Sequence, residues 1–261
     1  MKILALGDPH GNLEKVKEIP VEGLDLILLT GDIGKADLAR KFAFENVERE
    51  RLGLKRRKVT KEEDKAMSIE IYDSTMKIIN YLSKIAPVCT IYGNVEPYSG
   101  RSASDKKLGI PFLTDVINRK RNVSIINNKL LKIEEVRIGG LKYFIDTSWV
   151  KDFKPKDYTK MLKSAKKESD IARNILARFG KVDVLVCHQP PYGVLDQVTA
   201  KFAPKHWRGK HAGSKVILEY VKRTQPRYVF CGHIHEGEGF KKVGKSEVYN
   251  LGVGGYKIIQ V

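Results

Sequence analysis

Seven polar side chains able to bind metal ions stand where five apolar runs of the sequence end. They comprise two carboxylates, four imidazoles and one carboxamide, and they include four of the six histidines of the chain. The seven residues are Asp8, His10, Asp32, Asn94, His188, His233 and His235. Any one of them has a simpler explanation, because an Asp after a strand often closes a turn on its own backbone. Turn chemistry does not explain why all five runs end in Asp, His or Asn.

This set of ligand types indicates divalent metal ions. Oxygen and nitrogen donors without thiolate suit Mn, Fe, Co, Ni or Zn. The donors are too numerous for one tetrahedral site, and a carboxylate is able to bridge two ions. Two ions about 3.5–4 Å apart form the clamp that is used for in-line displacement at phosphorus. The sequence therefore predicts two divalent metal ions and a phosphorylated substrate.

The apolar runs that precede these residues are predicted to be buried strands. They are nearly continuous and rich in β-branched residues, as in α/β sheets that are covered on both faces. The five runs are residues 2–8, 24–32, 88–94, 182–188 and 228–235. The carboxyl ends of parallel strands line one crevice of an open α/β sheet. We therefore expect the seven side chains to converge.

Helical patterns separate the predicted strands. Residues 60–86 begin with Thr60 and Glu63 at the spacing of a capping box and carry an apolar stripe. Residues 156–179 repeat that stripe, and residues 214–224 begin at a serine and end in basic residues. Three helices are therefore predicted in these segments.

Two segments are β-rich, so we expect two packed sheets flanked by helices. Residues 123–150 contain short apolar stretches separated by Asn-Asn and Gly-Gly, which predicts a β-meander. Residues 247–261 are also β-rich. No repeat or linker marks a boundary, so one domain is predicted over residues 1–261. Residues 40–66 and 99–121 are charged and predicted to be irregular, either as surface excursions or as a partial lid.

The composition predicts a soluble, cytoplasmic protein. The hydrophobic content of 42% is enough for a core in a chain of 261 residues, and no apolar stretch approaches the roughly 20 residues that span a bilayer. The amino-terminal residues also lack the pattern of a secretory signal. All three cysteines (Cys89, Cys187 and Cys231) lie within apolar runs, which favours buried thiols over disulfides.

The net charge of +17, with a pI near 9.6, favours anionic partners. Basic clusters occur at residues 55–58 and 119–121, but aromatic residues are not interleaved with them as stacking on single strands requires. A polynucleotide partner, a small phosphorylated substrate and a merely solvated Lys- and Glu-rich surface remain open.

The blocks GDPHGN, GDIG, GN, H-x-PP and GHIH, in this order, resemble the calcineurin-like metallophosphoesterase superfamily. The resemblance extends from residue 7 to residue 235. It implies an α/β fold, a four-layer α/β/β/α sandwich of two mixed β-sheets flanked by helices. It also implies a dinuclear metal centre in which a metal-bridging hydroxide attacks the phosphoester.

The resemblance further implies an assignment of the ligands. One metal ion would be held by Asp8, His10 and His235. The other would be held by Asn94, His188 and His233, with Asp32 as the bridge. Asn94 would also contact the substrate.

The last third of the chain is similar to nucleotide phosphodiesterases within the superfamily. This similarity covers HQPPYGVLD, KHAGS, CGHIHEGEG and NLGVG. It implies that His211 and Gly213, which precede a helix amino terminus, lie near the substrate phosphate; an exposed loop position is the alternative for His211.

Val95 departs from the pattern of the superfamily. The family block is usually Gly-Asn-His, and its histidine protonates or stabilises the leaving group. General acid catalysis typically contributes about 10²–10⁴-fold. Glu96 or His211 could replace it, the substrate could need little protonation, or turnover could be low, so no catalytic acid is assigned.

The predicted function is therefore a metal-dependent phosphoesterase that hydrolyses phosphodiesters of nucleotide-type or similar small size. A nuclease that acts on a polynucleotide and a metal-binding scaffold with little turnover remain the alternatives.

Overall fold

Two mixed sheets, seven α-helices and two short 3₁₀ helices, Lys205–Trp207 and His235–Gly237, make up the regular structure in the residues described. The computed structural model describes residues 1–96, 109–201 and 203–261. The strands are β1 Lys2–Leu6, β2 Leu26–Leu29, β3 Val88–Thr90, β4 Val123–Ile125, β5 Lys129–Ile133, β6 Val136–Leu141, β7 Val184–Cys187, β8 Tyr228–Cys231, β9 Gly239–Val243, β10 Ser246–Asn250 and β11 Tyr256–Gln260. The helices are α1 Leu13–Lys17, α2 Asp37–Arg51, α3 Lys61–Leu82, α4 Leu113–Asn118, α5 Thr147–Phe153, α6 Tyr158–Phe179 and α7 Lys215–Thr224.

The central strands of both sheets are parallel. The first sheet has the order β11-β1-β2-β3-β4, in which only the pairing of β11 with β1 is antiparallel. The second sheet has the order β5-β6-β7-β8-β10-β9, with antiparallel pairs at its two edges. Each sheet therefore presents the carboxyl ends of several neighbouring strands at one edge.

Alternating side chains of the strands divide the core into layers. Ile3 of β1 and Val184 of β7 belong to one buried cluster between the two sheets. Leu4, on the opposite face of β1, packs in a cluster with α1, α3 and α4. Leu185 of β7 packs in a third cluster with α6 and α7. This arrangement confirms the four-layer α/β/β/α sandwich, and because the sheets share a core we propose one domain over residues 1–261.

The predicted helices are present with small changes in their ends. The capping box at Thr60 is present: its hydroxyl accepts from the Glu63 amide, and the Glu63 carboxylate accepts from the Thr60 amide. The β-rich character of residues 247–261 is also confirmed, as β10 and β11 lie there. No helix among the described residues has the length and apolarity needed to cross a bilayer.

The prediction of a β-meander over residues 123–150 is wrong. β4 pairs with β3 in the first sheet, whereas β5 and β6 form a hairpin in the second. The last predicted strand is a loop followed by α5. The side chain of Asp146 accepts a hydrogen bond from the amide of Ser148 and so caps this helix, which outweighs the β propensity of the segment.

The prediction of irregular structure for residues 40–66 is also wrong, because the segment contains most of α2 and the start of α3. Asn46 is the buried residue of α2, and its side chain binds the backbone of Arg57 through both amide atoms. Because the buried residue of α2 is polar, an apolar stripe does not mark this helix in the sequence. Of residues 99–121, α4 covers Leu113–Asn118, and residues 99–108 lie outside the described residues.

Candidate metal centre

Three of the predicted ligands lie in loops whose backbone is left-handed at that residue. The φ angles are +45° at His10, +45° at Asp32 and +66° at His233. Residues other than glycine seldom adopt such angles, and those that do are concentrated at functional sites. The amide of His10 donates to the carbonyl of Asp32 (3.1 Å), which joins the loops that follow β1 and β2.

Asp8, His10 and His235 form the first group of possible ligands. One donor atom from each lies within 4.8 Å of the others. Nε2 of His10 is 3.1 Å from Nε2 of His235, and the latter is 3.4 Å from Oδ2 of Asp8. Nδ1 of His10 is buried and lacks a hydrogen-bond partner among the described residues. Two imidazole nitrogens at this distance must either share a proton or face a common cation.

Asp8, Asp32 and His188 form the second group. Nδ1 of His188 lies 2.8 Å from the carbonyl oxygen of Thr30 and donates to it, so the neutral form of the ring has its lone pair on Nε2. Nε2 lies 3.6 Å from Oδ2 of Asp32 and 3.0 Å from Oδ1 of Asn94. Lone pairs that face each other at this distance fit a cation that both atoms contact, so the residues present suit a metal ion.

His233 borders the second group. Its ring centroid is 4.9 Å from that of His188, and its amide donates to Oδ2 of Asp8 (2.6 Å). Burial lowers the pKa of the His233 imidazole to about 3, so the ring is neutral and retains the lone pair needed for ligation.

The pKa values of the two buried carboxylates, Asp8 and Asp32, are shifted in opposite directions. Burial alone raises the pKa of Asp8, but attraction by His188 and hydrogen bonds from His235 and the His233 amide hold it below its usual range. Burial and repulsion by Asp8 raise the pKa of Asp32 to about 7. One carboxylate thus stays ionised without a metal, whereas the other gains most from a bound cation.

Two glycines leave space for these carboxylates. A Cβ atom at Gly93 would collide with Oδ1 of Asp32, and a Cβ atom at Gly232 would collide with Oδ1 of Asp8. The loops that follow β3 and β8 thus pack directly against the carboxylates.

Comparison with known proteins identifies the family. The model of the family described as calcineurin-like phosphoesterase matches residues 1–237. The chain belongs to the calcineurin-like phosphoesterase family. The expected superfamily and its α/β fold are thereby confirmed.

Curated proteins match a short stretch of this family member, and solved structures match its fold. It is 38% identical over 73 residues to metallophosphoesterase domain-containing protein 1 of Homo sapiens, which is 28% of this chain and 20% of that protein. The chain thus matches about a fifth of the length of its curated relatives. The phosphopantetheinyl hydrolase of Mycobacterium tuberculosis has the same fold at a TM-score of 0.54 and 14% identity, over 97% of this chain and 89% of that chain. Another solved structure reaches a TM-score of 0.58 at 18% identity, over 99% of this chain and 98% of that chain.

Glu96 holds the loops of this phosphoesterase-family site together. Its side chain is buried, with 1% exposed, and Oε2 accepts from the amides of Asp32 (3.0 Å) and Gly93 (2.9 Å). Oε1 accepts from the amide of Ile33 (2.6 Å). Burial and repulsion by Asp32 raise its pKa to about 7. Sequence reasoning considered Glu96 only as a proton donor, whereas both oxygens are engaged with the backbone.

Val95 also contacts the site through its backbone. Its amide donates to Oδ1 of Asp32 (2.8 Å). Val95 also lines a cavity of about 190 Å³ together with Ile71, Tyr72 and Leu113. The position that usually carries histidine in the superfamily thus faces an apolar environment here.

His211 is paired with a buried carboxylate that sequence reasoning missed. Nδ1 of His211 lies 2.7 Å from Oδ1 of Asp196, whose Oδ2 accepts from the amides of Gly193 and Gly213. Asp196 is buried, and the His211 side chain is 39% exposed. The carboxylate therefore orients an accessible imidazole, and Asp196, at the end of YGVLD, gave no pattern that would have identified it.

Proposed function

We propose that this protein is a metal-dependent phosphoesterase that hydrolyses phosphodiesters, with nucleotide-type or similar small substrates as the expected class. The observation that carries this proposal is the convergence of two groups of possible ligands that share Asp8. They lie where the carboxyl ends of parallel strands in both sheets meet, the place at which α/β folds bind their ligands.

We assign the ligands as the superfamily pattern implies. One ion would be held by Asp8, His10 and His235, and the other by Asn94, His188 and His233. In the superfamily pattern Asp32 would bridge them; here its Oδ2 lies 3.6 Å from Nε2 of His188, and its Oδ1 accepts from the Val95 amide. Asp8 is the residue that the two groups of possible ligands have in common.

The donor atoms suit Mn, Fe, Co, Ni or Zn. When bound there, two such ions neutralise phosphoryl oxygens and lower the pKa of a water molecule. The residues of the chain orient these donors. Thr30 donates to Oδ1 of Asp8 (2.8 Å) and accepts from His188, and Glu96 fixes the loop of Asp32.

Val95 supplies no proton to a leaving group, so we expect a preference for diesters with acidic alcohols. We further propose that the accessible face of His211, oriented by Asp196, contacts the substrate phosphate. The His211→Asn variant is then expected to raise KM for a diester while metal affinity stays unchanged.

The test compares bis(p-nitrophenyl) phosphate with p-nitrophenyl phosphate in the presence of Mn, Co, Ni or Zn. We expect faster hydrolysis of the diester, and none after a chelator. The Asp32→Asn variant is expected to lose at least about 100-fold, a typical effect of losing electrostatic stabilisation of the transition state. The matched control is Asp170→Asn, since Asp170 is an exposed partner of Arg173 on α6. Hydrolysis that survives chelation, or none with any metal, contradicts the proposal.

The net charge of +17 favours a second candidate, a nuclease. A fluorescent oligonucleotide that is cleaved in preference to the small diester supports this candidate over the first.

A further inference from the structure

A mostly apolar cavity of about 340 Å³ lies between α6 and the loop that follows β6. Its volume is at the lower end of the range typical of small-molecule sites. Its apolar wall is formed by Leu141, Phe144, Ile145, Ile171, Ala172 and Ile175.

The wall of the cavity runs from the core to the surface. Leu141, Ala172 and Ile175 belong to the buried cluster between the second sheet and its helices. Ile171 is 48% exposed. The half-buried carboxylate of Glu168 also lines the cavity, but its Oε2 accepts from the amide of Ile145 (2.8 Å). A ligand would therefore meet apolar surface, whose removal from water is favourable.

Tyr143 connects this cavity to the candidate metal centre. It lines the cavity, and its ring centroid lies 5.0 Å from that of His233 and 5.6 Å from that of His188. Tyr143 thus borders both the cavity and the candidate metal centre, which places the two next to each other.

Backbone contacts also hold the loop that forms the cavity next to the loop that carries His188. Leu141 is the register partner of Cys187, the residue before His188. The carbonyl of Phe144 accepts from Nε2 of Gln189, the residue after His188 (2.7 Å). The loop that forms the cavity is therefore tied on both sides to the loop that carries a proposed ligand.

We propose that this cavity binds an apolar, aliphatic group on one of the two alcohols of a phosphodiester substrate. A nucleobase fits less well, because most of its polar edge would lie against this apolar wall. The polar residues Asn128, Lys142 and Glu168 also line the cavity, but Oδ1 of Asn128 and Oε2 of Glu168 already accept from backbone amides. The inference rests on the proposed function and narrows its substrate class. It assigns a specificity role to Ala172 and Ile171, which the metal chemistry does not use.

The first test compares p-nitrophenyl methyl phosphate with p-nitrophenyl octyl phosphate, which share a leaving group. Each buried methylene is worth up to about fourfold in affinity, from its transfer free energy. We expect kcat/KM to be at least about tenfold higher for the octyl ester, mainly through KM. Equal kcat/KM values for the two esters overturn the inference and leave the proposed function standing.

A matched pair of variants on α6 locates the effect. Ala172→Leu places a larger side chain in the cavity, and we expect it to reduce the octyl-to-methyl ratio of kcat/KM to below about three. Ala177→Leu places the same side chain at an exposed position of the helix and is expected to preserve the wild-type ratio. A ratio that is unchanged in Ala172→Leu contradicts the site.

Binding of the neutral fluorescent probe N-phenyl-1-naphthylamine to chelator-treated protein tests the cavity without catalysis. We expect octyl phosphate, but not methyl phosphate, to displace the probe from wild type and from Ala177→Leu, and Ala172→Leu to bind it at least tenfold more weakly. Equal binding to the three proteins overturns the inference. Probe binding as expected, with neither ester hydrolysed by any metal, contradicts the phosphoesterase and hence the substrate inference, while the apolar cavity is retained.

Discussion

Replacement of Glu96 separates two roles that this carboxylate could have, loop anchor and proton donor. Its two oxygens accept from three buried amides, those of Asp32, Ile33 and Gly93. A buried amide that loses its partner costs about 1–3 kcal/mol. Glu96→Gln replaces one oxygen with an NH₂ group, which cannot accept from a backbone amide, and should lower the free energy of unfolding by about 2 kcal/mol. Glu96→Ala leaves all three unpaired and should lower it by about 4 kcal/mol, since water replaces part of the loss.

The pH dependence of this loss follows from the pKa of Glu96, which burial raises to about 7. A carboxyl group whose pKa is raised on folding makes its full contribution to the free energy of unfolding below its unfolded pKa of about 4.3. This contribution is lost as the pH rises from there through the folded pKa of about 7. The difference between wild type and Glu96→Ala is therefore expected to be larger at pH 5 than at pH 8. Urea denaturation of the metal-free proteins measures both values.

Metal affinity provides the second readout for Glu96. Residues that orient metal ligands typically change affinity by about 10–100-fold when they are replaced. We expect Glu96→Ala to weaken Mn binding by this factor in calorimetric titration. Glu135→Ala, at a side chain that is 93% exposed, serves as the control and should match wild type. If Glu96→Gln lowers kcat by 10²-fold or more while stability and metal affinity stay at wild-type values, Glu96 is a proton donor and the reasoning is refuted.

Further predictions concern the packing around Asp8 and the thiols. Thr30→Val removes the hydroxyl that donates to Asp8 and should weaken Mn binding about tenfold in calorimetry. The control Thr224→Val, whose hydroxyl donates to the carbonyl of Tyr220, should bind Mn as wild type does. Equal Mn affinities of Thr30→Val and wild type would show that the hydrogen bond to Asp8 is dispensable. Gly232→Ala places a methyl group against the Asp8 carboxylate. We expect this variant to lose about 1–3 kcal/mol in the free energy of unfolding and to bind at most one metal ion. Two ions bound by this variant would contradict the packing argument. Burial raises the pKa of Cys89 to about 11, so Ellman's reagent at pH 8 should detect no thiol in the folded protein and three after unfolding; a reactive thiol in the folded protein would refute the burial.

The sequence predicts the strands that carry the site because their apolar runs are covered on both faces. Each of the five runs contains an observed strand, and each predicted ligand follows its strand directly or within a few residues. Convergence then follows from parallel pairing, which places Asp8 and Asp32 after the adjacent strands β1 and β2. These features depend on local pattern and on a general rule of sheet topology.

Other features depend on contacts between distant residues, which no local pattern contains. The polar Asn46 anchors α2 by binding the backbone of Arg57, so α2 lacked the apolar stripe of a predictable helix. Glu96 followed the Gly-Asn block and suggested chemistry, but its partners are amides more than 60 residues earlier as well as the amide of Gly93. Asp196 is recognisable only through its contact with His211.

Anomalous diffraction from crystals grown with Mn tests the central claim most directly. The account predicts two peaks per chain, one contacted by Asp8, His10 and His235 and the other contacted by Asn94, His188 and His233, with Asp32 between them. Asp32→Asn should weaken both peaks, while Asp170→Asn should leave them unchanged. A single peak, or peaks away from these residues, would contradict the dinuclear centre.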